Sequence, residues 1–502
     1  MLRHARKTMT WITRNRTSLI TALIILAVLV LAFSGKSPQT TSSIILSGVT
    51  LAALYFLIAS GVSLIFGLMD VLNFAHGSLF MFGAYTGWTF YTNPRLLFNT
   101  TPLLLAIIAG LALSPIIARF VSLPRWGRWL AVLIGLAIAL LALRAFPIDK
   151  LVAMGMSMTG KIIPTAQAQE PLATMLIRIV GVFIAGMVAS AAMATRSADR
   201  LESPLNRTIG IVASVFVIAL VVLFVRDVGE QAILGMENNW RFLLALGAGA
   251  ATGGALGALI EWGLIRPLYA RPIYQILLTL GLTFVFDQVV RFVWGPAGAF
   301  MQVPSWFSTK SQACPSDNLL VWFSQHCDSI LIMGRPFPSY RLFIILVGIV
   351  MVLAIVLLLR RTRFGMIIRA GVQDSEMVEA LGINVRRVFT LVFAIGAALA
   401  GLGGVVAAPF LGVYPGMAME FLLQAFIVVV IGGLGSIPGA VVGALLVGLA
   451  RAYGDNIVLS GIQLPWMAEP ITGSPAIARA STVLIMAIVL FLKPTGIFGK
   501  KE

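Results

Sequence analysis

The chain is poor in charge. Of its 502 residues, 11% are Asp, Glu, Lys or Arg, where a soluble domain averages about 25%. Hydrophobic residues make up 59%, in repeated runs near the length of about 20 residues that crosses a bilayer. A soluble enzyme is excluded, and the fold class expected is an all-α polytopic membrane protein. Acids are scarcer than bases, 19 against 36, for a net charge of +17. A nucleic-acid partner does not follow, because membrane proteins gather Lys and Arg in their cytoplasmic loops. Histidine occurs three times and cysteine twice, at Cys314 and Cys327. Neither cysteine sits in a metal-ligand pattern, so no metal is expected. A nucleotide site is lacking too. "GMSMTGKI" (155–162) nearly matches a phosphate loop, but Ile162 stands where the magnesium-binding hydroxyl belongs and no strand precedes it.

What is there is a series of spans. Twelve are expected, at 18–33, 44–66, 72–91, 102–118, 129–146, 172–194, 208–225, 241–262, 274–294, 341–359, 388–409 and 478–492. Alternation from a cytoplasmic N-terminus places "RFVSLPRWGR", "TRSADRLESPLNR" and "RPLYARP" inside, all net basic, and acidic "RDVGEQAILGMENN" outside. The loop 360–387, with six arginines against three acids, falls inside. The long polar loop 295–329 falls outside and holds both cysteines. A Cys314–Cys327 disulfide is expected there, on the oxidising side.

Residues 421–454 resist this scheme. As one helix they would run about 50 Å at 1.5 Å per residue, against a bilayer core of about 30 Å. Gly432, Gly433, Gly435, Ser436, Pro438 and Gly439 interrupt them. Two short helices around a turn are expected, either a re-entrant hairpin or two short spans. The early half also holds an interrupted segment, at Asn73-Phe74-Ala75-His76-Gly77. Paired Gly/Pro-interrupted segments in two halves point to a transporter's substrate path. Non-helical backbone at membrane depth survives only where protein buries it or it lines a wet cavity. Half-helix N-termini suit a carboxylate. The path candidates are Asn73, His76, Gly77, Gly432, Gly433, Gly435, Ser436 and Pro438. Asp70, Asn73 and His76 also read as ordinary helix caps, and the two roles are compatible. His76 is expected to cap or to be hydrogen-bonded.

Few acids lie near the membrane: Asp70, Glu261, Asp287 and Glu420. Asp287 and Arg291, four apart, read as an ion pair near the outer end of a helix rather than as an ion-coupling site beside Gln288. In the inner loop, "DSEMVEALG" reads as a short helix. Asp374 caps it, Glu376 sits in its first turn, and Gly382 closes it left-handed. Met377 and Leu381 give it a small apolar edge. It is either a connector lying on the membrane or a docking knob for a cytoplasmic partner.

The stretches "NFAHGSLFMFGAY", "FGMIIRAGVQDSEMVEALGINVRRVF" and "VVVIGGLGSIPGAVVGALLVGLARA…KPTGIFG" resemble the permease subunit of branched-chain (hydrophobic) amino acid ABC importers. The resemblance covers roughly 44–92 and 240–500. It implies a second related permease, two cytoplasmic ATPase subunits and a periplasmic binding protein as partners. ATP and magnesium would bind those ATPases, with no cofactor on this chain. The loop helix would be the coupling helix, with Glu379, Ala380 and Gly382 at the positions of an EAA-type loop. Such a subunit sits in the bacterial inner membrane and performs no chemistry. Urea, short amides and aromatic acids are rival solutes, and an ion-coupled carrier is the rival of another class. Against the family pattern, 1–43 reads as a basic N-terminus with an extra span, 44–93 and 239–502 as the permease core, and 94–238 as an inserted four-span region with no readable role.

Overall fold

A computed structural model describes residues 37–120, 123–144, 146, 170–193, 205–269, 271–373, 375–460 and 475–499. The expected first span at 18–33, the rejected loop 155–162 and Asp374 lie outside the described residues. Helix dominates. Among the described residues, nine helices or helical runs are long and apolar enough to cross a membrane, with shorter apolar helices at Trp126–Ala142, Met417–Gly432 and Arg479–Leu492.

The chain divides into two compact units. One comprises Met1–Gly87, Phe242–Phe292 and Pro296–Glu502; the other comprises Trp88–Arg241 and Val293–Gly295. The first unit is built on α1 (Pro38–Met69), the most buried of the candidate spans. Ser37 caps it, its hydroxyl accepting from Thr40 N at 3.3 Å, and Pro38 occupies its first position. The same unit holds most of α2 (His76–Thr92), α8 (Asn238–Ile260) and α9 (Pro272–Trp294), and all of α11 (Ser339–Arg361), α14 (Val385–Leu411), α15 (Met417–Gly432), α16 (Ile437–Ser460) and α17 (Pro475–Leu492). In lipid no hydrophobic force drives helices together, so packing depends on close approach of small residues. Here α1 meets α16 at Gly48 and Gly448, and meets α14 at Gly61 and Gly396, where a Cβ on Gly396 would lie 3.0 Å from the Gly61 carbonyl. Gly83, Gly249 and Gly253 close on Gly401 of α14.

The second unit holds α3 (Pro94–Leu111), α4 (Ser114–Phe120), α5 (Arg125–Ala142), α6 (Leu172–Ser190) and α7 (Leu205–Gly235). Leu103, Ala106, Met175, Ile179, Val182 and Leu223 form its core. Its buried cations are paired. Arg95 donates to Glu230 at 2.6 Å and to Asp227 at 3.3 Å. Arg178 binds Glu170 at 2.7 Å and the Ala142 and Arg144 carbonyls. Trp126, Trp129, Leu140 and Ile177 are exposed, an apolar outer face suited to lipid.

The long loop after α9 is ordered. It carries α10 (Leu319–Ser324) and a hairpin of β1 (Ser329–Ile332) with β2 (Arg335–Pro338), Ile332 opposite Arg335. Both turn residues, Met333 and Gly334, have positive φ, as a two-residue hairpin turn requires. Cys314 and Cys327 are joined in a disulfide, 13 residues apart. Replacing both with serine is expected to remove about 3 kcal/mol of loop stability. Proteolysis of the outer loop, with mass spectrometry of the unreduced wild-type peptide, checks this; two free thiols in that peptide would refute it.

Candidate functional site

The first unit contains two non-helical stretches held by one helix. The earlier follows α1. Asp70 ends that helix in a left-handed conformation (φ 53°), its N–H bonded to the Phe66 carbonyl at 2.9 Å. Asp70 is exposed, but six residues later His76 is fully buried against Gly61 of α1. Gly61 lies eight residues before Met69, about 12 Å along the helix. The chain from Asp70 to Ala75 therefore climbs back into the bundle as open backbone.

Such backbone needs partners, and α9 supplies them. Phe74 N donates to Thr279 Oγ1 at 3.2 Å, and Thr283 Oγ1 donates to the Phe74 carbonyl at 3.0 Å. Both threonines are buried. Asn73 Oδ1 accepts from Ala75 N at 3.0 Å and its carbonyl from His76 N at 3.3 Å, so Asn73 caps the turn that opens α2. One turn beyond Thr283, Asp287 Oδ1 accepts from Gly416 N at 2.9 Å. Residues 279, 283 and 287 are thus a rail (i, i+4, i+8) that holds Phe74 and also the Gly412–Gly416 stretch leading into α15. The N-termini of α2 and α15 meet there, with Gly77 packed on Ala418 so closely that a Cβ would lie 2.7 Å from Leu422 Cβ. The Phe74 ring faces Phe426 at 6.2 Å.

Neither ring nitrogen of His76 makes a well-formed hydrogen bond, and the polar group the ring faces is the Ile58 carbonyl. As the first residue of α2 it points its side chain back toward α1, into the space Gly61 leaves. His76→Leu is therefore expected to keep assembly and a melting temperature at or above wild type, because no well-formed bond is lost and two buried polar atoms are removed. A fall of several degrees would reveal a partner for the ring.

The later interruption is a turn between α15 and α16. Gly433 adopts φ +101°, where an L side chain would be strained. Ser436 Oγ caps α16 by accepting from Gly439 N at 3.1 Å, and Pro438 takes the second helical position. Gly432 and Gly439 let the two helices touch. The last carbonyls of α15 are satisfied from the C-terminal tail, Ile497 N to Ile431 O at 2.8 Å and Phe498 N to Gly432 O at 2.9 Å. Gly435 packs on Gly67, where a Cβ would lie 3.0 Å from its Cα. The turn therefore lies beside the end of α1 and the tail, while His76 and Gly77 meet the start of α15. Sequence pairing singled out Gly432–Gly439; the stretch brought to the inner end of the first break is Gly412–Gly416. At 24 residues, α16 is also longer than the short helix expected.

The loop after α11 forms α12 (Arg363–Gln373) and α13 (Ser375–Ala380). Phe364 and Ile368 of α12 pack on Leu64, Leu68 and Val392. Val378 is buried under α13, while Met377, Glu379, Ala380 and Leu381 are exposed. Glu376 lies in the helix. Gly382 has φ +81°, its N–H bonded to Glu379 O at 2.9 Å, and Ile383 N reaches Val378 O at 3.3 Å. Asn384, not among the residues expected as caps, caps α14 by accepting from Arg387 N at 3.1 Å.

Asp287 and Glu420 are engaged. Asp287 pairs with Arg291 at 2.7 Å besides holding Gly416; Gln288 beside it is exposed. Glu420 accepts from Tyr414 at 3.0 Å. Among the described residues no cluster of three His, Cys, Asp or Glu could hold a metal ion.

Many spans, open backbone held inside the bundle and a small exposed knob define a polytopic transport permease. The family described as branched-chain amino acid transport system, permease component, matches residues 207–492, and the chain belongs to that family. The match begins inside the region read from sequence as an insertion. The permease protein LivH of the Escherichia coli K12 high-affinity branched-chain amino acid transport system is 28% identical over 273 residues, 54% of this chain and 79% of LivH. BraD, its counterpart in Pseudomonas aeruginosa, is 34% identical over 170 residues, 34% of this chain and 50% of BraD. A probable LivH of Methanocaldococcus jannaschii is 23% identical over 246 residues, 49% and 71% of the two chains. No solved structure matches.

Proposed function

We propose that this chain is one of two related permease subunits of an ATP-driven importer in the bacterial inner membrane, carrying branched-chain or related hydrophobic amino acids into the cytoplasm. Its partners are the second permease, two cytoplasmic ATPases that bind ATP and magnesium, and a periplasmic binding protein. The family match carries this reading, and the exposed α13 knob, closed by Gly382, supports it as an ATPase contact. Asp374, Glu376, Glu379, Ala380 and Gly382 form that contact. The solute passes where α2 and α15 begin, beside Asn73, His76 and Gly77. Two helix N-termini there favour a carboxylate. The turn at Gly432, Gly433, Gly435, Ser436 and Pro438 borders the path at its inner end.

The test is uptake into proteoliposomes holding all four kinds of subunit. ATP-dependent entry of leucine, isoleucine or valine is the expected result. Entry of urea, short amides or aromatic acids instead would reassign the solute. Uptake driven by a proton or sodium gradient without ATP would overturn the importer.

A further inference from the structure

The strongest unassigned cluster lies where α8 ends. That helix loosens into a π-turn, Glu261–Ile265, with Arg266 N bonded to the Glu261 carbonyl, and then a 3-10 turn, Arg266–Leu268. Isolated π-turns cost stability and gather at functional sites. This one turns a carboxylate inward: Glu261 is fully buried. Its two oxygens are used differently. Oε1 accepts from the Tyr269 hydroxyl and from Arg266 Nε at 3.4 Å. Oε2 accepts from Thr390 Oγ1 at 2.6 Å. Arg266 Nη2 in turn donates to Thr390 Oγ1 at 2.8 Å and to the Arg386 carbonyl at 3.1 Å. The Tyr269 ring stands edge-on to Phe389 at 5.8 Å. Burial, with Glu261 alongside, pushes the Tyr269 phenol well above its ordinary value, so it stays a donor.

Arg386, Phe389 and Thr390 lie in the first two turns of α14, directly after the α13 knob, which Ile383 N closes by bonding Val378 O two residues before that helix begins. On the other side of the cluster, Gln275 Nε2 holds the Leu268 carbonyl at 2.7 Å, and the Gln275 carbonyl accepts from Thr279, the residue that holds Phe74. The links in this chain are hydrogen bonds and a ring contact between named groups, joined by the short covalent stretches 383–386 and 266–269. It runs from the knob to the open backbone at the start of α2.

We infer that Glu261, Arg266 and Thr390 form a latch that makes the base of α14 and the α8–α9 connector move as one piece, so that displacement of the α13 knob reaches the Phe74 break. The three are positioning residues: they touch neither solute nor nucleotide. A buried carboxylate stripped of a partner is strongly unfavourable, which keeps the latch closed while the two elements shift together. The inference rests on the knob being the ATPase contact.

The test uses Glu261→Gln and Thr390→Val in the reconstituted four-component importer. Each variant is expected to co-purify with the ATPases and keep basal hydrolysis, while stimulation by loaded binding protein falls about fivefold or more, the range of site-to-site coupling. Uptake should fall in step. The double variant should be no worse than the worse single one, since both open the same latch. Thr390→Ser, which keeps the hydroxyl, should restore coupling, and it also serves if Glu261→Gln fails to assemble. Wild-type stimulation in both variants would overturn the latch. So would equal proportional loss of basal and stimulated hydrolysis, which marks a merely structural role. Failure of the underlying reading looks different: knob variants at Glu379 and Gly382 would then leave ATPase binding and stimulation untouched.

Discussion

A permease carrying Thr279→Val together with Thr283→Val is expected to lose most of its transport and melt several degrees lower than wild type. Valine matches threonine in shape, so α9 keeps its packing, but the Phe74 N–H and carbonyl lose their side-chain partners. Average side-chain hydrogen bonds between membrane helices are worth only about 0.6 kcal/mol, because the broken state finds substitutes. Phe74 has no such substitute. It lies outside any helix, and a buried amide or carbonyl left unpaired costs about 1–3 kcal/mol. Two such groups put the cost well above that average. Thr279→Ser and Thr283→Ser should recover most of the loss by keeping the hydroxyls. Thermal melting in detergent and uptake in proteoliposomes check both halves. A double valine variant that melts and transports like wild type would show that the stretch is held by something other than α9.

The interruptions themselves were legible, because glycine, proline and asparagine in an apolar run have a local cause. The closing turn at Gly382 was legible for the same reason, as a glycine ending a short capped helix. What satisfies the open backbone was not legible. Thr279 and Thr283 look like ordinary polar residues in an apolar span, and their partner lies 205 and 209 residues away. Only the four-residue spacing, continued by Asp287, hinted at a shared face. By composition the tail is a basic inner end, yet its Ile497 and Phe498 amides finish α15. Glycine enrichment in the late segment points to Gly432–Gly439, while Gly412–Gly416 reads only as the connection after the span at 388–409. Parity fixes the side on which a segment ends; it carries no information on how deep a non-helical stretch re-enters. For His76 a rare histidine at a break suggests a bonded role; the structure offers it the Ile58 carbonyl, and small Gly61 gives the ring its buried place.

The largest effect on coupling is expected at the knob. Gly382 sits at φ +81° with open space around it, since a Cβ there would meet nothing within 4 Å. A side chain at this position clashes with no neighbour; its cost is conformational, about 1–2 kcal/mol for the left-handed backbone. The segment relieves that cost by reshaping, and Gly382→Val should break the Gly382–Glu379 and Ile383–Val378 bonds that close α13 just before α14. Glu379→Lys changes no backbone but reverses the charge on the exposed face beside Met377 and Leu381. Both variants should insert into the membrane and dock binding protein as wild type does, because the changes lie on the inner loop. Either the ATPases should then fail to co-purify, or hydrolysis should continue without responding to loaded binding protein; in both cases uptake should be lost. Gly382→Ala, with a smaller side chain under the same conformational cost, should fall between wild type and valine. The measurements are subunit stoichiometry after purification and stimulated against basal hydrolysis in proteoliposomes. Normal values of both in Gly382→Val and Glu379→Lys would remove α13 from the coupling contact and leave it as a connector lying on the membrane.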